Sequence, residues 1–346
     1  MARTAGGGWC ATLVAALALA GCGDRDGGGG GEAANEAVAA APAPRQPVIP
    51  KRVATCGPVD DAPVAIAGGS FVMGEDARYR EEGPPKRITV SGFRIDPHEV
   101  TNRQFARFVK ATGYRTVAER PLDPAQFPDA TPEQRQPASA VFTTPARPSN
   151  DYRDWWTLLP GASWRKPFGP NGPDALPDYP VVHVAFDDVL AYARWAGGRL
   201  PTEAEWEFAA GAGAPAGKEQ PTEANSWQGV FPVRNLATDG HEGLAPVGCF
   251  KPNANGLYDT IGNAWEWTAD AYAPGHDPDR PDHDPRGPAE ARAYDPANGV
   301  TLSRVIKGGS FLCAPNYCMR YRAAARSPQD SGLGTSNIGF RLAYDD

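Results

Sequence analysis

The sequence has no long run of lysine or arginine, and the formal net charge of its 346 residues is −7. Because nucleic acids and anionic membrane surfaces attract basic segments, this composition argues against both as partners. Histidine is also scarce, and none of the five histidines stands at a spacing typical of metal ligands. They are His98, His183, His241, His276 and His283. The apolar surroundings of His98 and His183 favour ordinary core histidines.

A long apolar run is lacking at the N-terminus as well. The run Ala11–Gly21 is too short for a comfortable transmembrane span but long enough for the core of a signal peptide. It follows Arg3 and ends in Leu-Ala-Gly-Cys, which resembles the bacterial lipobox. We therefore expect a lipoprotein signal peptide at residues 1–21 and a lipid on Cys22. A plain secretory signal with an unmodified cysteine is the alternative, and in both cases the body of the protein is exported.

Residues 22–60 are predicted to be a disordered tether. Between Gly23 and Pro50 the chain has almost no large apolar side chain, so it cannot bury a core. A flexible segment of roughly thirty residues has a reach of roughly 30 Å. Gly23, directly after the expected lipidated cysteine, provides no Asp retention signal, which favours an outer membrane. We expect a protein that is lipid-anchored in the bacterial cell envelope and faces the periplasm or the cell surface.

Glycine and proline, by contrast, are abundant. The 39 glycines and 36 prolines are spread along the chain, which is 22% charged and 41% hydrophobic. This composition is typical of a folded soluble body with many loops rather than of a repeat protein. We predict a single compact α+β domain at residues 61–346, with little regular secondary structure and many ordered loops.

Capping signals predict three helices. Apolar residues recur three and four positions apart, as Phe105, Phe108 and Val109 do in the first helix. The first helix is expected to start at a capping box of Thr101 and Gln104 and to stop at Gly113. The second should be capped by Asp187 or Asp188 and stop at Gly197. The third should start at a capping box of Thr202 and Glu205 and stop at Gly211.

Strand signals are brief, at residues 62–74, 86–96 and 304–311. Between Gly113 and Pro180 the sequence has little periodicity, so this stretch is either disordered or a functional surface. Three tryptophans within residues 154–170 favour an ordered, packed loop.

Four cysteines remain after the predicted export, in a compartment that permits disulfides. One interpretation is two bridges, Cys56–Cys249 and Cys313–Cys318. The second pair could equally be a metal-binding clip or a redox pair, and its spacing alone does not decide between them.

Two loops, at residues 225–241 and 256–270, have the composition of calcium-binding loops. The first offers oxygen donors from Asn225 and Asp239, and the second from Asp259 and Glu266 with glycine between them. Carboxylates alternating with backbone carbonyls suit a hard cation such as Ca²⁺. Polar residues that cap turns are the alternative explanation.

Several segments together resemble one known family. They are GGSFVMG, HEVTNRQFARFV, PVVHVAFDDVLAYARWAGGRLPTEAEWEFAA, NANGLYDTIGNAWEWT, RVIKGGSF and SNIGFRLA. From about Val64 to Ala343 the chain resembles the formylglycine-generating enzyme (sulfatase-modifying factor) family. The resemblance implies that family's C-type-lectin-like domain. These framework motifs indicate the fold more than the activity, since many relatives keep the fold without the chemistry.

The segment GGSFLCAPNYCMRYR, residues 308–322, is the part of the resemblance that indicates activity. Members that oxidise sulfatase cysteines have Gly-Gly-Ser-aromatic-x-Cys-x4-Cys-x-Arg-Tyr-Arg here, and relatives without the activity usually lose both cysteines. The resemblance implies that Cys313 and Cys318 bind Cu(I) and that O₂ is used. The substrate would be a cysteine in a Cys-x-Pro-x-Arg motif of a sulfatase polypeptide. Its sulfur would be the third sulfur ligand of the copper, and the residue would be converted to Cα-formylglycine. Ser310 would sit beside the copper and orient oxygen or a water.

The resemblance also assigns neighbouring residues. Trp265, Arg320 and Arg322 are expected to bind the substrate peptide, and a monomer is expected. Two structural calcium sites would use the side chains of Asn225, Asp239, Asp259 and Glu266 and the backbone carbonyls of Ser226, His241, Gly262 and Ala264.

The sequence also departs from the family pattern. Ala193, Ala210, Ala323 and Leu342 occupy the positions of the structural disulfides of animal members. Ala314 stands where some members have histidine. A non-catalytic binding or scaffold lipoprotein on the same fold, with Cys313–Cys318 as a disulfide, is the alternative function. An iron-dependent sulfoxide synthase of the same fold is excluded, because the chain lacks its histidine triad and its additional helical domain.

Overall fold

The structure is a computed structural model, and it describes residues 47, 49–50, 56–125, 127–145, 149, 151–211, 221–289 and 302–345. The predicted signal peptide, the lipidated Cys22 and most of the tether lie outside these residues. The helices are α1 (Asn102–Thr112), α2 (Phe186–Ala196) and α3 (Glu203–Gly211). The strands are β1 (Val64–Ile66), β2 (Gly69–Met73), β3 (Lys86–Val90), β4 (Phe93–Ile95), β5 (Ala138–Phe142), β6 (Trp156–Pro160), β7 (Gly229–Val230), β8 (Arg234–Asn235), β9 (Trp265–Ala271), β10 (Ser303–Lys307), β11 (Arg326–Asp330), β12 (Ile338–Gly339) and β13 (Ala343–Tyr344).

The strands form several small sheets. One sheet has the order β1–β4–β13 and joins the start of the domain to its end. A second has the order β11–β10–β9–β12, in which β12 runs parallel to β9 and the other pairs are antiparallel. The remaining strands pair as the hairpins β2–β3, β5–β6 and β7–β8. Few helices, small sheets and many ordered loops confirm the predicted α+β domain.

The capping boxes of α1 and α3 are formed as predicted. Gln104 N donates to Thr101 Oγ1 at 3.2 Å, and Thr101 N donates to Gln104 Oε1 at 2.7 Å. In α3, Glu205 N donates to Thr202 Oγ1 at 3.0 Å and Thr202 N to Glu205 Oε2 at 2.7 Å. The helix α1 ends at Gly113, which has the positive φ of 68° typical of a helix stop.

The N-cap position predicted for α2 is wrong, although Asp188 does cap the helix from its first turn. The N-cap residue is Ala185, and Asp188 lies in the first turn. The buried Asp188 carboxylate accepts from Ala185 N, Tyr114 Oη and Val117 N, at 2.9, 3.0 and 2.9 Å. Asp188 therefore ties the start of α2 to the chain that follows α1. The predicted stop at Gly197 is confirmed.

The predicted strand segments are each more broken than expected. Residues 62–74 contain both β1 and β2, and residues 86–96 contain both β3 and β4. The third strand ends at Lys307, because Gly308 and Gly309 adopt positive φ of 93° and 75° and turn the chain out of the sheet. This turn leads directly into the segment that contains Cys313 and Cys318.

The region between Gly113 and Pro180 contains a hairpin that the sequence did not predict. The strands β5 and β6 pair from Ala138 with Pro160 to Phe142 with Trp156. Trp155 and Trp164 are buried. The prediction of an ordered, packed loop around the three tryptophans is confirmed for the described residues.

The principal core packs α1 and α2 against the four-stranded sheet. Cys313 and Cys318 belong to this core, together with Trp265, Trp267 and Tyr321. In the described part of the chain, no helix is both long enough and apolar enough to cross a membrane.

Candidate active site

The sulfur atoms of Cys313 and Cys318 lie 3.0 Å apart, within hydrogen-bond distance of each other. Both residues are buried, and neither is part of a disulfide. Two turns bring them together, since Cys313 N donates to Ser310 O and Cys318 N to Ala314 O, both at 2.9 Å. The other predicted bridge, Cys56–Cys249, is formed, with the Cα atoms 5.2 Å apart. The structure therefore contains one structural bridge and one pair of neighbouring thiols.

Two glycines make room for the pair. A Cβ atom on Gly309 would lie 3.3 Å from Cys313 Sγ and 2.9 Å from Arg320 O. A Cβ atom on Gly308 would lie 3.1 Å from the Trp206 ring. Together with their positive φ, these close approaches explain why this position needs two glycines.

A cavity of about 60 Å³ reaches the cysteines. Ser310, Trp265 and Asn337 line one part of it. The rest is largely aromatic, with Trp155, Trp156, Phe231 and Tyr317. The rings of Phe231 and Tyr317 are stacked, with centroids 4.4 Å apart, and Trp155 meets Tyr317 edge-on at 4.8 Å. An aromatic cavity of this size accommodates a single small side chain.

A larger cavity of about 430 Å³ lies behind this aromatic wall. Phe142, Trp227 and Phe311 line it, and Phe142 and Trp227 pack against Phe231 of the smaller cavity. Among the described residues that line it there is no cysteine. The reactive groups are therefore at the smaller cavity, although the other is larger.

Ser310 lies on the smaller cavity, as predicted for a residue beside the cysteines, and a second residue holds it. Asn337 Nδ2 donates to Ser310 Oγ at 3.1 Å, and Leu312 N donates to the same oxygen at 3.3 Å. Thr335 Oγ1 donates to Asn337 Oδ1 at 2.7 Å, which fixes the orientation of the amide. The sequence reasoning assigned no role to Asn337, although it lies in the SNIGF segment used for the family resemblance.

The residues predicted to bind substrate take different positions. Trp265 and Arg320 line the cavity. The Arg320 guanidinium pairs with Glu81 and lies over the Tyr79 ring, 4.4 Å from its centroid.

Arg322 is fully buried and is not among the described residues that line the cavity. It pairs with Glu82 at 2.7 Å and with Asp76 at 2.9 Å. These ion pairs give Arg322 a structural role, and its contact with substrate stays a prediction.

Tyr321 is a further group near the cysteines that the sequence reasoning did not use. Its side chain packs in the same core cluster as Cys313 and Cys318. Burial and the neighbouring Cys313 raise the pKa of the Tyr321 phenol to about 12, so that it stays protonated.

The first predicted calcium loop is held together by Asp239. Its carboxylate accepts from Ser226 N at 3.2 Å and from His241 N at 3.0 Å, as a turn-capping aspartate does. Burial raises the pKa of Asp239 above its usual value. Asn225 Oδ1 is buried and has no hydrogen-bond partner among the described residues. This unpartnered acceptor fits a role as a cation ligand.

The second loop lies in an acidic environment. Glu266 pairs with Arg341, with 2.7 Å between Oε1 and Nη2. Burial raises the pKa of Asp259 to about 6, and burial together with Asp259 and Glu266 raises the pKa of Glu99 well above its usual range. Gly262 and Asp259 have positive φ of 79° and 53°. A surplus of buried carboxylates fits a divalent cation.

Side chains alone do not complete either loop as a metal site. In the described part of the chain, no group of three or more His, Cys, Asp or Glu side chains converges in a metal-binding arrangement. The oxygen donors available here are individual carboxylates, the Asn225 amide and backbone carbonyls, including those predicted at Ser226, His241, Gly262 and Ala264.

Both loops are bonded to the segment that contains the cysteines. Trp227 N, next to Ser226, donates to Cys313 O at 2.9 Å. Gly262 N donates to Gly308 O at 2.9 Å, and Asn263 O accepts from Phe311 N at 2.9 Å. The loops therefore help to position the Cys313 backbone.

Comparison with known proteins agrees with this geometry. Residues 52–346 match the family model described as "Sulfatase-modifying factor enzyme 1-like domain". A Mycobacterium tuberculosis protein named "Formylglycine-generating enzyme" is 49% identical over 294 residues, which cover 82% of this chain and 97% of that protein. A Mus musculus protein named "Inactive C-alpha-formylglycine-generating enzyme 2" is 38% identical over 298 residues, 82% of this chain and 86% of that protein.

A solved structure has a similar fold. The structure of PvdO from Pseudomonas aeruginosa matches with a TM-score of 0.57 and 25% identity, covering 82% of this chain and 94% of PvdO. The matches in sequence and structure extend over most of the described domain. The chain therefore belongs to the formylglycine-generating enzyme (sulfatase-modifying factor) family.

Proposed function

We propose that this protein converts a cysteine of sulfatase polypeptides to Cα-formylglycine, with O₂ as oxidant and copper as cofactor. The observation that carries the proposal is the pair of unbridged thiols, 3.0 Å apart at the cavity, within the family's activity motif. Named relatives support the general assignment to sulfatase maturation.

Cys313 and Cys318 fit Cu(I) by the chemistry of their donor atoms. Thiolates are soft ligands and select Cu(I), and these two sulfur atoms are adjacent and buried from water. Copper, when bound, would supply the activation of O₂.

The reaction balances with an external two-electron reductant. The substrate side chain –CH₂–SH, O₂, two electrons and two protons give –CHO, H₂S and H₂O. The substrate carbon gives up two electrons as a C–H bond and the C–S bond break, and a thiol reductant gives up two more. O₂ accepts all four electrons. The thiol leaves as H₂S.

The residues of the cavity would bind and orient the substrate. The aromatic wall of Trp155, Trp156 and Tyr317 excludes water from the cysteine side chain that enters. Ser310 Oγ accepts two hydrogen bonds and so presents its own proton as a donor at the reacting groups. Because the cavity admits only one small side chain, an extended segment with the Cys-x-Pro-x-Arg motif fits better than a folded sulfatase domain.

We also propose that both calcium loops bind Ca²⁺. The unpartnered Asn225 Oδ1 supports the first site, and the surplus of buried carboxylates supports the second. Through Trp227 and Asn263 these ions would stabilise the backbone around Cys313.

The lipid on Cys22 and export to the cell envelope remain part of the proposal. The reaction would then meet exported sulfatases outside the cytoplasm. Metabolic labelling with a radioactive fatty acid tests this. Wild type should be labelled and found in the membrane fraction, and unlabelled wild type would contradict the anchor.

A non-catalytic binding protein is the second candidate function, and the relative named as inactive supports considering it. The unbridged state of Cys313 and Cys318 favours the enzyme, because a structural role for the pair would require the bridge.

The test is to incubate the protein, copper, O₂ and dithiothreitol with a peptide that contains Cys-x-Pro-x-Arg. Mass spectrometry should show that sulfur is lost and an aldehyde is formed. Cys318→Ala is the matched control and should give no aldehyde. No aldehyde from wild type, or an equal yield from Cys318→Ala, would refute the enzyme.

A further inference from the structure

The two predicted calcium loops meet where Asn263 of the second loop contacts Asn225 of the first. The Asn263 backbone N donates to Asn225 O at 2.8 Å, and the Asn263 side chain adds further bonds. Its Oδ1 accepts from Asn225 Nδ2 at 3.0 Å, and its Nδ2 donates to Glu99 Oε1 at 3.1 Å. Ala245 N donates to the same Oδ1 at 2.9 Å, which is consistent with this orientation of the amide. Asn225 belongs to the first loop, and Glu99 interacts electrostatically with Asp259 of the second. One amide therefore bridges the two loops.

Each bridged residue has a further oxygen without a protein partner. Asn225 and Glu99 are 1% and 0% exposed, and among the described residues nothing donates to Asn225 Oδ1 or Glu99 Oε2. Buried acceptors are nearly always satisfied, because the protein must replace the water that they lose. Both atoms therefore indicate a group from outside the protein, a metal ion or an ordered water.

The charge balance at the second loop also favours a bound cation. Glu99, Asp259 and Glu266 are buried carboxylates that interact with one another, and Arg341 is the cation paired with Glu266. Arg341 bonds both carboxylate oxygens of Glu266, so Glu99 and Asp259 are the carboxylates whose charge a divalent cation would balance. The family resemblance assigned Asp259 and Glu266 to this site but gave no role to Glu99.

We propose that Glu99 is a carboxylate ligand of the second cation, and that Asn263 couples the two cation sites so that filling one raises the affinity of the other. A cation on Asn225 Oδ1 polarises its Nδ2–H and strengthens the bond to Asn263. The ordered Asn263 amide then holds Glu99 by Oε1 and leaves Oε2 for the second cation. The inference rests on the proposed calcium sites but requires neither copper nor the oxidation of a sulfatase.

The test is a calorimetric titration of the full copper-free protein with CaCl₂. Wild type should bind two ions with positive cooperativity. Asp239→Asn, which impairs the first site, should weaken binding at the second site by about fivefold or more, the lower range of coupling between sites. Glu99→Gln should weaken the second site directly. Glu223→Gln is the matched control, since Glu223 is exposed and pairs with Lys251 on the surface, and its affinities should equal those of wild type.

The role of the Asn263 amide is tested by Asn263→Ala, in which Asp239→Asn should weaken the second site less than it does in wild type, because only the backbone bond between the loops remains. If Asn263→Ala does not fold, the comparison of wild type with Asp239→Asn still decides the coupling. An unchanged affinity of the second site in Asp239→Asn, or no binding of calcium by wild type, would overturn the inference. Aldehyde formation is measured separately, so its failure would refute the proposed function and leave the coupling intact.

Discussion

Asn337 Nδ2 donates a hydrogen bond to Ser310 Oγ over 3.1 Å at the cavity of the cysteines. Thr335 Oγ1 holds the other end of the amide at 2.7 Å, and both Ser310 and Thr335 are fully buried. A hydroxyl has one proton and two lone pairs. Because Asn337 and Leu312 occupy the lone pairs, Ser310 can act on the reacting groups only as a donor.

Asn337→Ala should lower kcat of the peptide oxidation on the order of tenfold, a loss of about 1.4 kcal/mol in transition-state stabilisation. The reason is that the Ser310 hydroxyl would lose one of the two hydrogen bonds that orient it and keep only the bond from Leu312 N. The measurement is steady-state kinetics with the Cys-x-Pro-x-Arg peptide. KM should change little, because Asn337 acts through Ser310.

Ser310→Ala provides the control for that prediction. Since Asn337 acts through Ser310, adding Asn337→Ala to Ser310→Ala should cost little more, a strongly non-additive result. Additive effects of the two substitutions would show that Asn337 acts independently of Ser310.

Arg322→Ala should destabilise the protein by about 3–5 kcal/mol, because it leaves the buried Glu82 carboxylate without its partner. Arg320→Ala changes a residue that lines the cavity, and we expect it to raise KM for the peptide with a smaller loss of stability. Urea denaturation and peptide kinetics separate the two effects. A stable Arg322→Ala variant with a raised KM would restore the original assignment of Arg322 to substrate binding.

The sequence predicts those features of the fold that depend on contacts between residues close together in the chain, and it misses those that depend on distant residues. The starts of α1 and α3 were predicted correctly, because the Thr101 and Thr202 boxes use atoms three residues apart. The predicted position of the α2 N-cap was wrong. Asp188 bonds to Tyr114 and Val117, which are more than seventy positions away in the sequence. The local preference of a residue for a helix start gives no information on such distant contacts.

The candidate site also contains residues that motifs predict and residues that only tertiary contacts bring together. The cysteine pair, Ser310 and Trp265 were predicted through motifs and lie at one cavity. The hairpin β5–β6, which supplies Trp156, was missed because its strands show little alternation between apolar and polar residues. Glu99 and Asn337 were missed because only the folded chain brings them to Asn263 and Ser310.

His183 should contribute a loss of stability on acidification. Its imidazole bonds to Ser139 Oγ and Pro167 O at 2.8 and 3.1 Å, and complete burial lowers its pKa from 6.5 to about 4. Between these values the unfolded chain binds a proton that the folded chain does not. This part of the stability is therefore complete above pH 6.5 and decreases as the pH falls toward 4. Between pH 7 and pH 5 the loss should be about 2 kcal/mol.

The measurement for His183 is the free energy of unfolding in urea at both pH values. His183→Asn is the comparison variant, because asparagine tolerates the positive φ of 61° at this position. Burial raises the pKa of Asp96 and Asp188 to about 6, and these groups stabilise the fold on acidification. They are present in both proteins, so the difference between the two pH dependences isolates His183. Equal pH dependences would contradict the prediction.

Removing the Cys56–Cys249 bridge should lower stability without abolishing the chemistry. The bridge links residues 193 positions apart, and loss of a structural disulfide typically costs about 2–5 kcal/mol. It also fixes the chain beside Gly248, whose N–H donates to Asp259 Oδ2 at 2.6 Å. The variant with Cys56→Ala and Cys249→Ala should therefore unfold at lower urea concentration and bind CaCl₂ more weakly at the second site.

The same variant should still form the aldehyde at low temperature, because Cys313 and Cys318 remain adjacent and belong to a different turn. Peptide mapping of wild type under non-reducing conditions should recover the Cys56 and Cys249 peptides joined, with Cys313 and Cys318 in neither. If the double variant is as stable as wild type, the bridge does not stabilise the fold. If it loses the aldehyde while remaining folded and saturated with CaCl₂, the assignment of one pair to structure and the other to chemistry is wrong.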